Sequence, residues 1–215
     1  MAQQTITALY DSYADARTAV GEIEGSGIPH GDISLVSNNE GDRHAGVVGD
    51  GSGDAAAKDR AKDGTGAGAT LGTVAGGAAG LLAGLGLIAI PGVGPVVAAG
   101  WLVATLTGAG IGAAAGGFAG ALTGAGVGEA DAHAYGEGVR RGGTLVTVRI
   151  DPARAALAPT VTAILERHGA VDLDEKANAW RAEGWAAPQV TSGTGPAGTS
   201  GERGRVRSYP ATTDL

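Results

Sequence analysis

The sequence predicts an α+β fold: a ferredoxin-like βαββαβ head with a long glycine-rich antiparallel helical hairpin inserted between strands 2 and 3. Three observations lead there. A strand–helix–strand pattern occupies residues 5–37, and a second one occupies residues 144–175. Between them, from Gly64 to Gly128, the chain has no Asp, Glu, Lys or Arg and carries two ladders of six glycines spaced four residues apart.

The elements follow in order. "TITALY" is rich in β-branched residues and starts the first strand. Asp11 or Ser12 caps the helix behind it, whose apolar side is Ala16, Ala19, Val20 and Ile23, at i, i+3, i+4 and i+7. "DISLVS" closes this first half, residues 1–37. Residues 38–63 have the glycine and mixed charges of a polar loop, and residues 64–128 are the apolar block. The second half, residues 129–186, begins with a short polar helix, "EADAHAYGEGVRR", followed by the strand "TLVTVRI". "DPARAALAPTVTAILERHG" is then a helix with Asp151 as N-cap, Pro152 at its first position and Gly169 beyond its end, although Pro159 weakens its middle. Its sheet-facing residues are Ala156, Leu157, Val161 and Ile164. "AVDLDE" reads as the fourth strand, and "KANAWRAEGW" as a short C-terminal helix docked by Trp180 and Trp185. Residues 187–215, a mixture of Pro, Gly, Ser and Thr, predict a disordered tail.

The block contains two ladders, Gly64, Gly68, Gly72, Gly76, Gly80 and Gly84, then Gly108, Gly112, Gly116, Gly120, Gly124 and Gly128. Between them, Pro91, Gly92, Gly94 and Pro95 provide a hairpin turn. A dozen interior glycines would cost a water-exposed helix about 6–12 kcal/mol relative to alanine. That cost is tolerable where flat glycine faces let helices pack at short distance, the small-xxx-small logic of membrane helices. Gly68, Gly72, Gly76, Gly80 and Gly84 of one arm, and Gly108, Gly112, Gly116, Gly120 and Gly124 of the other, are therefore the expected helix-packing residues. Each arm, about 25 residues, exceeds the ~20 needed to span a bilayer. Lys58, Arg60 and Lys62 before the block and Arg140 and Arg141 after it place both ends in the cytoplasm. The expectation is thus a bacterial inner-membrane protein with a cytoplasmic head, partnered by the lipid bilayer and by further copies of itself. Two alternatives bury the same faces without lipid: a cytoplasmic, soluble oligomer acting as a small-molecule-binding or scaffold module, and a hairpin buried within one chain.

Composition narrows the chemistry. The net charge of -7 and the pI near 5.0 disfavour a nucleic-acid partner, which needs clustered Lys and Arg. With no Cys there are no disulfides, thiolate nucleophiles or Cys-bound metals, and no secretory signal precedes the first strand. "GAGIGA" (108–113) formally fits a dinucleotide fingerprint but has neither a preceding strand nor a placed acidic residue. Glu129, His133 and Glu137 share a helical face at four-residue spacing, which suits a metal or proton site and equally a solvated polar face. No catalytic, cofactor-binding or metal residue is assigned, and no cofactor is expected. Arg140 and Arg141 suit either anionic lipid or a helix C-terminus. Trp101 suits either an interfacial anchor or a space-filling role.

"ALYDSYADARTAVGEIEGSGIPHGDISLVSN", "IPGVGPVVAAGWLVATLTGAGIGAAAGG" and "EGVRRGGTLVTVRID" together resemble the bacterial heat-induced general stress protein family. The resemblance covers residues 5 to about 185, with "IPGVGP" and "EGVRRGG" its most specific parts. It implies a stress-associated, non-enzymatic role and supplies no catalytic residue to carry over. The loop 38–63 and the tail stand outside it.

Overall fold

The structure, a computed structural model, describes residues 3–40, 86–90, 93–103, 111–187 and 204–210. It is α+β. Six strands form one wholly antiparallel sheet: β1 (Gln4–Tyr10), β2 (Ile33–Asn38), β3 (Gly86–Ile90), β4 (Gly94–Gly100), β5 (Thr144–Ile150) and β6 (Val206–Pro210), in the order β3-β4-β2-β5-β1-β6. The helices are α1 (Tyr13–Gly25), α2 (Ile111–Gly124), α3 (Glu129–Arg140), α4 (Ala158–Arg167) and α5 (Leu173–Ala182), with short 3-10 turns at His30–Asp32 and Pro152–Leu157.

The first half forms as its residues dictate. Ser12 caps α1 by accepting the N–H of Asp15, and Ala16, Ala19, Val20 and Ile23 are all buried. With Val161, Ile164 and Leu165 of α4 they cover one sheet face, formed by Ile6, Ala8, Ile33, Leu35, Val146 and Val148. Asp151 accepts the N–H of Ala153, but the chain runs as a 3-10 turn before α4, because Pro159 lacks an N–H and fits only the first turn of a helix. Leu157 packs at the core margin and Ala156 is exposed, contrary to the sheet-facing expectation.

The fourth strand is not where expected. Val171 makes a single antiparallel bridge to Leu9, and Asp172 then accepts the N–H groups of Asp174 and Glu175 to start α5. The alternation "AVDLDE" resembles a strand, yet an Asp with two acidic residues just after it is also a helix start, and capping prevails. The edge beside β1 is filled by β6 from within the segment expected to be disordered.

The apolar block differs more. Residues 86–100, expected as the ends of two helical arms, form the β3–β4 hairpin, with Ile90 opposite Gly94 and β4 paired to β2. The cause is local composition: Ile88, Ile90, Val93, Val96 and Val97 lie between the glycine ladders, and β-branched residues favour strand. A reversal does occur at the predicted turn, but it joins strands. Gly94 (φ 98°) and Pro95 open β4, whereas Pro91 and Gly92 lie outside the described residues. β4 ends at Gly100 (φ 91°), where any Cβ would collide with the Ile33 carbonyl, and the chain turns helical through Trp101–Val103.

Membrane insertion is overturned here. Among the described residues no helix is long and apolar enough to cross a bilayer. α2 has 14 residues, about 21 Å at 1.5 Å per residue, against ~30 Å of hydrocarbon, and Gly117 breaks it with φ 49°. The reading of a membrane-inserted, transmembrane hairpin is therefore withdrawn, and the inner-membrane location is left without that support. α2 instead joins α3 and α5 on the second sheet face, burying Leu9, Val36, Leu145, Phe118, Leu122 and Tyr135. The sheet is thus covered on both faces, where one helical layer was expected.

Candidate functional site

The second face of the sheet is unusual for what it buries. Cross-strand register aligns Arg207, Thr7, Thr147, Ser34 and Gly100 in a row across β6, β1, β5, β2 and β4. Four of these five carry polar side chains, and all four are buried. Thr7 Oγ1 donates to the Tyr135 hydroxyl at 2.7 Å, and Ser34 Oγ donates to the Ala99 carbonyl at 2.8 Å. Thr147 Oγ1 has no hydrogen-bond partner among the described residues. In the adjacent row Thr5 Oγ1 donates to the Ala125 carbonyl at 2.7 Å, and Arg149 lies 4.5 Å from the centre of the Trp101 ring. Trp101 is buried under that guanidinium, so it fills space within the domain. Arg149 also approaches Asp32 at 3.6 Å, which Arg154 reaches at 3.5 Å.

The polar row ends at a latch. Arg207 hydrogen-bonds Asp131 of α3 through Nη1 and forms an ion pair with Asp174 of α5 through Nη2, the latter at 2.8 Å. The Tyr209 hydroxyl donates to the second Asp131 oxygen at 2.7 Å and interacts with Tyr135. Burial works against the Arg207 charge, but its bonds to both carboxylates outweigh burial and raise its pKa. Burial pushes Tyr135 up to about 12 and raises Tyr209, with the Tyr135 and Asp131 neighbours adding to the latter. Both phenols therefore stay neutral at physiological pH, and Asp131, accepting from Arg207 and Tyr209, is committed to holding β6. The group ties β6 to α3 and α5.

A second constellation explains "EGVRRGG". Glu137 is only 5% exposed and accepts from Arg140 at 2.7 and 2.6 Å and from Arg141 at 2.5 Å. Arg141 continues to Glu183 and covers Trp180, which is buried and in edge contact with Trp185, so the C-terminal helix is docked by these rings. Gly138 lies where a Cβ would be 2.6 Å from Leu9, and Gly143 where one would be 2.8 Å from the Gly138 carbonyl. The motif thus closes α3, presses it onto β1 and enters β5. The two arginines are engaged with carboxylates at the end of α3. Glu137 is held by the two arginines, and no metal-holding group of three or more His, Asp or Glu is found among the described residues.

Of the predicted helix-packing glycines, Gly68, Gly72, Gly76, Gly80, Gly84 and Gly108 lie outside the described residues. Gly112, Gly116, Gly120 and Gly124 fall on α2. Gly120 and Gly124 are exposed, and a Cβ on either would meet nothing within 4 Å among the described residues. The buried side of α2 is Phe118, Ala121 and Leu122. Sequence reasoning missed the latch because its parts lie in "VRSYP", at Asp131 and at Asp174. The available signal was the Val206–Arg207–Ser208–Tyr209 alternation, a period of two within a Gly/Ser-rich tail. No family model, curated protein or solved structure matches this chain.

Proposed function

We propose that this chain is a non-enzymatic, self-associating scaffold of ferredoxin-like type working in the cytoplasm, in keeping with the heat-induced general stress proteins its motifs resemble. The strand order β6-β1-β5-β2, with α1 and α4 on one face, supports the ferredoxin-like core. The observation that carries the self-association is the identity of the sheet's edge. The charge-free block enters the sheet as β3, "GLIAI", at the end of the order, and no described strand pairs with its outer side. An edge strand without charge or proline is a template for another strand. Two copies pairing β3 to β3 antiparallel satisfy a two-fold axis, which brings no like charges together. Gly120 and Gly124, facing outward on α2, are available to the same assembly.

The test is the mass of the full-length chain by light scattering, beside Ile88→Lys, which puts a charge on the edge as natural edge strands do. The wild type is expected to be oligomeric and the variant to fall to a smaller species with its circular dichroism unchanged. A monomeric wild type, or an oligomer indifferent to Ile88→Lys, defeats the reading.

A further inference from the structure

β6 is held to the domain much as a bound peptide is held. It pairs with β1 over Ala8↔Val206 to Gln4↔Pro210, and its side chains alternate between the two faces. Val206 enters the core under α1 and α4, whereas Arg207 and Tyr209 enter the opposite face, onto Asp131 and Asp174. Backbone pairing along a sheet edge gives affinity, and side-chain pockets at alternate positions give selectivity, here for an arginine and a tyrosine two residues apart. Without that strand the slot would hold two carboxylates lacking their cation and a row of unpaired β1 backbone groups. Residues 188–203, rich in Gly, Ser and Thr, separate β6 from the rest of the domain. At full extension such a stretch covers about 50 Å, enough to reach a neighbouring molecule.

We propose that the β1 edge is a strand-docking slot that also takes residues 204–210 of a second copy of this chain, exchanged for its own. Arg207 and Tyr209 of one molecule then complete the Asp131–Asp174 pocket of another. The contacts are identical within and between molecules, so exchange changes only the tether. One slot and one strand per copy let reciprocal exchange close a two-fold pair and one-way exchange propagate. This goes beyond β3 pairing, at the opposite end of the sheet.

The absence of cysteine makes the test direct. Gln4 and Pro210 are directly opposite one another. Full-length Gln4→Cys and full-length Pro210→Cys, carrying different mass tags, are mixed and mildly oxidised, with each oxidised alone for comparison. The expected product is a disulfide-linked heterodimer, reduced about tenfold when Arg207→Ala is added to the Pro210→Cys chain, since the charge-assisted bond to Asp131 and the ion pair with Asp174 are both lost. A full-length chain carrying both cysteines, kept dilute, should close its disulfide internally. Internal closure without heterodimer overturns exchange, as does a heterodimer insensitive to Arg207→Ala; failure of internal closure overturns the slot itself. The mixing is repeated in Ile88→Lys chains, where the heterodimer should persist, so failure of β3 pairing and failure of strand exchange are distinguished.

Discussion

Glu137 pins the second helical layer to the sheet. Its carboxylate is buried, which alone would raise its pKa, but hydrogen bonds from Arg140 and Arg141 outweigh that and hold it below the usual carboxylate range. A lowered pKa in the folded state contributes stability above the unfolded value of about 4.3, and that stability is lost as pH falls through the folded value. Glu137→Gln keeps the shape and removes the charge. It is expected to cost about 1–3 kcal/mol at pH 7, because hydrogen bonds to a charged group are lost while both arginines retain access to water. Urea titrations at pH 7 and pH 3 check this: the gap between wild type and variant should shrink at the lower pH, where Glu137 of the unfolded chain takes up a proton. An equal gap at both pH values would mean that Glu137 acts through packing alone. The motif was conspicuous in the sequence, but its role was not, since only the fold shows that Gly138 and Gly143 allow α3 to press against β1.

At the scale of elements, glycine spacing was legible and its meaning was not. A step of four residues places glycines on nearly one side of a helix, but the same stripe can face a neighbour or solvent. On α2 the neighbour is met by Phe118, Ala121 and Leu122, and the stripe at Gly120 and Gly124 faces outward. Since an added methyl meets nothing there and neither φ is positive, Gly120→Ala and Gly124→Ala should each stabilise the isolated domain by about 0.5–1 kcal/mol. Thermal melts at low protein concentration test that gain. If the same substitutions weaken the oligomer in light scattering, the stripe is an intermolecular packing face; if they leave it intact, β3 pairing is sufficient. The strands between the ladders were legible in principle through Ile88, Ile90, Val96 and Val97, but the four-residue period on either side drew them into the helical reading.

For the whole molecule, the sequence carried the first strand–helix–strand half and β5 because their signals are local: a cap, a period and β-branched residues. It could not carry the second face, where β4 depends on β2 and β6 on Asp131 and Asp174, pairings between residues far apart in the chain. This difference reverses one consequence of the helical-hairpin expectation. With a hairpin projecting from the head, deletion of residues 64–128 would leave a folded domain. In the structure that deletion removes β4 and α2, strips the pairing edge of β2, and uncovers Leu9, Val36 and Leu145 on the second face. Each such apolar side chain contributes about 1.5–3 kcal/mol by its burial, and a domain has only about 5–15 kcal/mol in hand, so losing the cover from several is enough to unfold it. The deletion variant is therefore expected to lack a cooperative thermal transition, to bind a hydrophobic dye and to aggregate. A second variant, in which residues 41–85 are replaced by a Gly/Ser linker of about ten residues, retains every described strand and helix and should keep a cooperative transition. A cooperative transition after removal of 64–128 would show that α1, α4 and the strands around β1 fold on their own, with the second helical layer as an appendage.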